Sequence, residues 1–176
     1  MTIKTDAVII GAGPSGLFQV FELGLLDIHA HVIDSLKQVG GQCSELYPDK
    51  PIYDIPAIPE CGAQELIDRL MAQIAPFKPE FHLGQTVNIL EQKEDGRFHL
   101  ETSSGEKFDT ATVILAAGLG AFQPRRLRAK NADTWDGKNI HYRLRDPDAL
   151  VGKKLAILGG GDSALDWTLE LFDKVE

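Results

Sequence analysis

The glycines at 11, 13 and 16 form GxGxxG within GAGPSG, a spacing able to hold a phosphate against bare backbone. The first glycine permits a tight turn, the second removes a side chain where a pyrophosphate must approach, and the third lets a helix lie close on a strand. Pro14 and Ser15 complete the turn, and an anion held there faces the free N–H groups and positive dipole end of the helix that follows. Asp34, 18 residues beyond Gly16, is spaced to accept hydrogen bonds from ribose hydroxyls. The pattern recurs as Gly159, Gly161 and Ala164 around Asp162 and Ser163, with alanine in place of the third glycine. The plainer reading of either segment is a structural turn. A dinucleotide site takes FAD or NAD equally well, so the fingerprint alone does not choose between them.

The flanking segments are those a dinucleotide site requires. Residues 6–10 (DAVII) are a short apolar run, 17–26 have helical composition and 29–33 (HAHVI) alternate as a strand does, which together make a βαβ unit. Residues 39–59 are rich in glycine and proline and read as a long functional loop. Leu66, Ile67, Leu70, Met71 and Ile74 recur at spacings of three and four, which predicts a helix over Ala63–Ile74 that Pro76 ends. Three alternating segments, 87–92, 97–102 and 106–108, are separated by turn signals and predict an antiparallel meander. A separate apolar run at 112–117 then suits a buried parallel strand ending at Gly118. Residues 119–152 read as connection. Residues 154–158 (KLAIL) predict a second strand leading into the second glycine turn and a helix through Phe172. This places one unit at 1–118 and a linker with the start of a second at 119–176.

Among 176 residues, 43% are hydrophobic and 25% charged, which excludes a disordered or collagenous chain. No apolar run reaches the ~18 residues of a membrane span, and the N-terminus lacks the zones of a signal peptide, so a cytoplasmic location is expected. The net charge of -8 argues against nucleic-acid binding. That charge is uneven: residues 1–118 carry 8 Lys and Arg against 17 Asp and Glu, and residues 119–176 carry 10 against 9. Arg125, Arg126, Arg128, Lys130, Lys138, Arg143 and Arg145 crowd one segment, either as a solvated linker or as a surface that steers an acidic carrier. Cys43 and Cys61 form no CxxC and read as thiols, Cys43 as a passive small residue in the loop and Cys61 as structural. The histidines at 29, 31, 82, 99 and 141 show no ligand grouping beyond His29 and His31, which share one face of a strand, and no metal is assigned.

The order of helix, meander and apolar strand ending Ala116-Ala117-Gly118 is similar to that of FAD domains in flavoproteins holding two dinucleotides. Three segments sharpen the likeness: GGQCSELYPDKPIYDIPAIP (40–59), ILAAGLGAFQPRRL (114–127) and VGKKLAILGGGDSALDW (151–167). Together they resemble the thioredoxin-reductase-like class of ferredoxin/flavodoxin–NADP⁺ reductases, and the likeness spans the whole chain. The resemblance implies an α/β fold: a Rossmann-like FAD-binding domain, with a parallel sheet plus a three-stranded antiparallel meander, followed by the start of a second Rossmann-like NAD(P)-binding domain. It places Gln42 and Tyr47 against FAD, with Tyr47 stacking on the isoalloxazine ring, and puts Val87 near the adenine and Phe122 near the flavin. Tyr47 also reads as packing its own loop, and Val87 and Phe122 as core residues.

The chain departs from disulfide reductases of neighbouring families, which carry a cysteine pair in one of two places. Here Cys43 has no second cysteine a few residues on, and residues 119–161 contain none. Electrons from the flavin are therefore expected to pass directly to an external acceptor rather than through a disulfide. The resemblance implies an FAD-dependent oxidoreductase moving electrons between NADPH and ferredoxin or flavodoxin by hydride transfer at flavin N5. It names no general acid, base or nucleophile. The alternatives are a thioredoxin-reductase-like flavoprotein with another acceptor, and an FAD-binding fragment with no turnover. One nearly whole nucleotide unit and one that lacks its second strand suggest the N-terminal half of a larger enzyme, homodimeric at full length.

Overall fold

The computed structural model describes residues 1–48, 50–121, 126–142, 144 and 146–175. Within them the chain forms two compact units, Met1–Phe122 and Gln123–Glu176.

The first unit is built on a six-stranded sheet. Strand β1 (Thr2–Ile10) runs into the glycine turn, helix α1 (Pro14–Gly24) follows, and strand β2 (Ala30–Asp34) returns parallel to β1, pairing Ala7 with Ala30 and Ile10 with Ile33. Pro14 opens α1 at a position where its missing N–H costs no hydrogen bond. The expected loop at 39–59 is more ordered than its composition suggests. It holds a one-turn helix α2 (Gln42–Glu45) and a two-residue strand β3 (Pro51–Ile52), which pairs with β4 (Cys61–Gly62). Helix α3 forms over Ala63–Ile74 as its apolar spacing predicts, and Glu65 reaches back to accept from the Gly62 N–H at 3.4 Å.

Strand β5 (Glu80–Leu83) pairs parallel with β2, and β6 (Val87–Gln92) and β7 (Phe98–Thr102) form a hairpin. The two segments expected at 106–108 and 112–117 are one continuous strand, β8 (Lys107–Leu115). Its first half pairs antiparallel with β7, and its whole length pairs parallel with β1, from Thr2 against Lys107 to Ile10 against Leu115. The polar residues that look like an interruption are satisfied within the strand. Asp109 accepts from Lys93 Nζ at 2.7 Å and from Arg97 Nε, and buried Thr110 donates to the Thr112 carbonyl at 3.0 Å. The resulting order is β5-β2-β1-β8-β7-β6, so the meander extends the parallel sheet.

Alternation then divides the core. Ala7, Ile9, Ala30 and Val32 face one side with Leu17 and Val20 of α1 and Ile67 and Ile74 of α3. Val8, Ile33, Leu100 and Phe108 pack together on the other.

In the second unit, helix α4 (Asp162–Leu171) follows Gly161 as expected. Residues 154–158, read as a strand, are not one: no strand pairs with them among the described residues. A buried parallel strand needs neighbours to take its N–H and C=O groups, and apolar composition cannot replace them. Leu158, Leu165, Leu169 and Phe172 are exposed here. None of the described helices is long and apolar enough to cross a membrane.

Candidate functional site

A cleft of about 410 Å³ opens where β1, β2 and β8 end, within the size range of small-molecule and cofactor sites. Parallel strands all end at this edge, and the side chains and turns after them converge on it.

The glycine turn is held from every side. Gly11 N–H donates to the Ile33 carbonyl at 2.8 Å, Ala12 N–H to Asp34 Oδ2 at 2.6 Å, and Gly40 N–H to the Ala12 carbonyl at 2.8 Å. Gly11 has φ +113°, and a Cβ on it would stand 2.2 Å from the Ala116 carbonyl oxygen, so only glycine fits between β1 and the end of β8. A Cβ on Gly16 would stand 1.9 Å from the Gly11 carbonyl oxygen, which is how close α1 lies to the turn.

Gly13 differs from both. Its φ is −73°, and a Cβ there would meet only the Cα of Gly41, at 3.9 Å. Gly41, at φ +57°, approaches from the opposite wall. Gly13 and Gly41 thus pack backbone against backbone beside the first turn of α1, and a Cβ on Gly41 would stand 3.1 Å from the Gly13 Cα.

Gly11, Gly13, Pro14 and Ser15 line the cleft, with Asp34, Gln42, Tyr47, Val87 and Gly118 around them. Gly16 supports the turn from behind. Phe122 lies outside the described residues. Gly159, Gly161, Asp162, Ser163 and Ala164 belong to the other unit, where they form the approach to α4 and its first turn. Sequence reasoning missed Ser35, Gly41, Gln85 and Thr86, which also line the cleft. Gly41 had a signal in the GG pair; Gln85 and Thr86 had none, because they arrive through β5, which pairs at the edge of the sheet beside β2.

Asp34 is buried and its carboxylate is already engaged. Oδ2 accepts from Ala12 and Oδ1 from Leu36 N–H at 2.7 Å, so this side chain shapes the glycine turn as well as facing the cleft. Each oxygen keeps a second lone pair for a ribose hydroxyl.

Cys43 is buried in the wall. Burial pushes its thiol up, against the opposing pull of a hydrogen bond with Tyr47, and burial pushes the Tyr47 hydroxyl up as well. A thiol held protonated is a poor nucleophile. Cys61 is also buried and free, and is not among the residues lining the cleft. In the basic segment, Arg126 is already paired with Asp133 and Asp136, at 3.1 and 3.0 Å. Arg125, Arg143 and Arg145 lie outside the described residues.

Comparison with known proteins agrees with this geometry. The family described as pyridine nucleotide-disulphide oxidoreductase matches residues 5–174. "Ferredoxin--NADP reductase 2" of Cupriavidus taiwanensis is 63% identical over 174 residues, covering 99% of this chain and 47% of the relative. "Ferredoxin--NADP reductase" of Polaromonas naphthalenivorans is 64% identical over 167 residues, covering 95% and 46%. The chain thus spans about half the length of the curated relatives it matches. Among solved structures, thioredoxin reductase of Lactococcus lactis superposes with TM-score 0.74 at 21% identity, over 97% of this chain and 54% of that one. An NADP⁺-bound cyclohexanone monooxygenase from Rhodococcus sp. Phi1 gives TM-score 0.80 at 23%, over 100% and 37%. A match that runs through both glycine fingerprints and nearly everything between them makes this chain a member of the pyridine nucleotide-disulphide oxidoreductase family.

Proposed function

We propose that this chain supplies the FAD site, and the beginning of an NADPH site, of an oxidoreductase that moves electrons between NADPH and ferredoxin or flavodoxin. The observation that carries the reading is a cleft whose wall holds one buried free thiol, Cys43, and no cysteine pair. A disulfide relay needs two sulfurs at the flavin, and Cys43 is alone there. The names of the relatives at 62–64% identity support the same choice of acceptor.

In this reading Gly13 and Gly41 admit the pyrophosphate, and the first turn of α1 offsets its charge with N–H groups and the helix dipole. Asp34 orients the ribose while keeping the glycine turn in register through Ala12. Tyr47 covers an aromatic face, with its hydroxyl tied to Cys43, and Gln42 lies beside Gly118 at the end of β8, its Nε2 3.8 Å from where a Cβ on Gly118 would stand. Bound FAD supplies hydride and one-electron chemistry that no side chain here performs. Gly159 to Ala164 would serve the nicotinamide nucleotide in the same manner. A domain boundary at 118/119, four residues before the division between the two compact units, and dimerisation at full length belong to the same proposal.

The purified chain titrated with FAD is expected to bind it and quench its fluorescence. A full-length version loaded with FAD is expected to reduce ferredoxin or flavodoxin with NADPH and to leave thioredoxin oxidised. Reduction of thioredoxin alone overturns the proposal. Because residues 154–158 lack strand partners, the 176-residue chain is expected to stay oxidised when NADPH is added anaerobically.

A further inference from the structure

On the face of the sheet away from α1 and α3, parallel register brings together side chains from distant parts of the chain. His31 of β2 pairs with Glu80 of β5, so the two project from the same face; His29 and His82, each two residues along, project there too. One ligand atom each from His29, His31 and Glu80 lies within 4.8 Å of the others. His31 Nδ1 is 3.8 Å from Glu80 Oε2, and the rings of His29 and His31 meet edge to face at 5.5 Å. The distance in sequence between His29 and Glu80 is what hides the group from a scan for ligand spacing.

We propose that His29, His31 and Glu80 form a binding site for a divalent cation of borderline softness, zinc being the best fit, separate from the nucleotide cleft. Two imidazoles and a carboxylate are a donor set that zinc favours, with water completing the shell at bond lengths of ~2.0–2.2 Å.

Two features go beyond proximity. First, both histidines have the outer partners that orient ligands. His29 Nε2 donates to the Lys78 carbonyl at 3.1 Å, which leaves Nδ1 with its lone pair. His31 Nδ1 meets His82 Nε2 at 3.1 Å, and His82 Nδ1 donates to Glu106 Oε2 at 2.8 Å. With His82 Nδ1 donating to Glu106, His82 Nε2 accepts from His31 Nδ1–H, which fixes the His31 ring and leaves its Nε2 as the atom to ligate. Second, burial is graded. His31 is 6% exposed and wedged edge-on against Phe108, whereas Glu80 and His29 are exposed. A buried ligand with two exposed outer ones gives a cation both an anchor and a way in.

The test is titration of the chelator-stripped chain with zinc chloride by calorimetry, with His29→Gln, Glu80→Gln and, as control, His99→Gln. The expected result is saturable binding of one zinc per chain. Loss of an outer-shell partner alone weakens metal sites roughly 10- to 100-fold, so H29Q and E80Q should each weaken binding at least tenfold, and H99Q should not. Both varied residues are exposed, and far-UV spectra matching the parent show that their folds are intact. Absence of one-to-one binding, or binding equally sensitive to H99Q, overturns the proposal. Its failure leaves FAD binding unaffected, because none of these residues lines the cleft.

Discussion

Gly13→Ala separates the role of the glycine turn in folding from its role in binding. Gly13 has ordinary extended dihedrals, φ −73° and ψ 179°, and a Cβ there meets nothing closer than 3.9 Å. Alanine therefore fits the protein itself. It should even stabilise the fold by about 0.4–1 kcal/mol by restricting the unfolded chain, which raises the melting temperature by about 1–4 °C for a chain of this size. The same methyl group is added to the cleft wall beside the first turn of α1, where the pyrophosphate is proposed to sit. Displacing the phosphate costs at least one hydrogen bond to a charged group, about 1.5–3 kcal/mol, so FAD affinity should fall about 10- to 150-fold. The two readouts are a thermal melt and fluorescence quenching of FAD on the same preparation. Gly16→Ala makes the contrast. Its Cβ would lie 1.9 Å from the Gly11 carbonyl oxygen, so it should destabilise the fold by about 1–3 kcal/mol or more before any ligand is added. A Gly13→Ala protein that is stable and binds FAD like the parent refutes close approach at this position.

Three further outcomes follow from the same structure. Asp34→Asn turns one of the two N–H contacts at Ala12 and Leu36 into donor against donor, which costs about 1–3 kcal/mol and should lower the melting temperature by about 2–12 °C without ligand. Tyr47→Leu keeps an apolar filler but removes the aromatic face, so FAD binding should weaken about 2- to 13-fold while Tyr47→Phe stays close to the parent. Lys93, with Arg97, holds the Asp109 carboxyl down from 3.8 to about 2. Because the folded value lies below the unfolded one, this contribution is present above about pH 4 and is lost as pH falls toward 2. The urea midpoint of the parent should decline through that window, and that of Asp109→Asn should decline less.

Much of the first unit was legible because its signals are local. The glycine turn, the helix at 63–74 and the hairpin at 87–102 each lie within a stretch of some dozen residues, where spacing alone reports geometry. What escaped depends on distant partners. Residues 80–83 (EFHL) have no strand-like composition, and they become β5 only because β2 offers an edge. Asp109 and Thr110 look like a break in a strand until Lys93, Arg97 and the Thr112 carbonyl are placed around them. Residues 154–158 fail in the opposite sense, having a strand's composition and no neighbour to pair with. In the cleft, the residues on the glycine turn were readable and Gln85 and Thr86 were not, because only the edge pairing of β5 with β2 brings them there.

The pairing of β1 with β8 imposes an order of events during synthesis. Thr2 and Lys107 are 105 residues apart, and β8 closes one side of β1 along its whole length. At a translation rate of about 5–20 residues per second, β1 waits roughly 5–20 s on the ribosome with that side open. During the wait β2 satisfies only its far half, at Ala7 to Ile10, and leaves the TIKT segment without a partner. A strand end with an unpaired edge invites pairing with another chain. Nascent chains that pause before β8 emerges are therefore the population most exposed to aggregation and most dependent on chaperones.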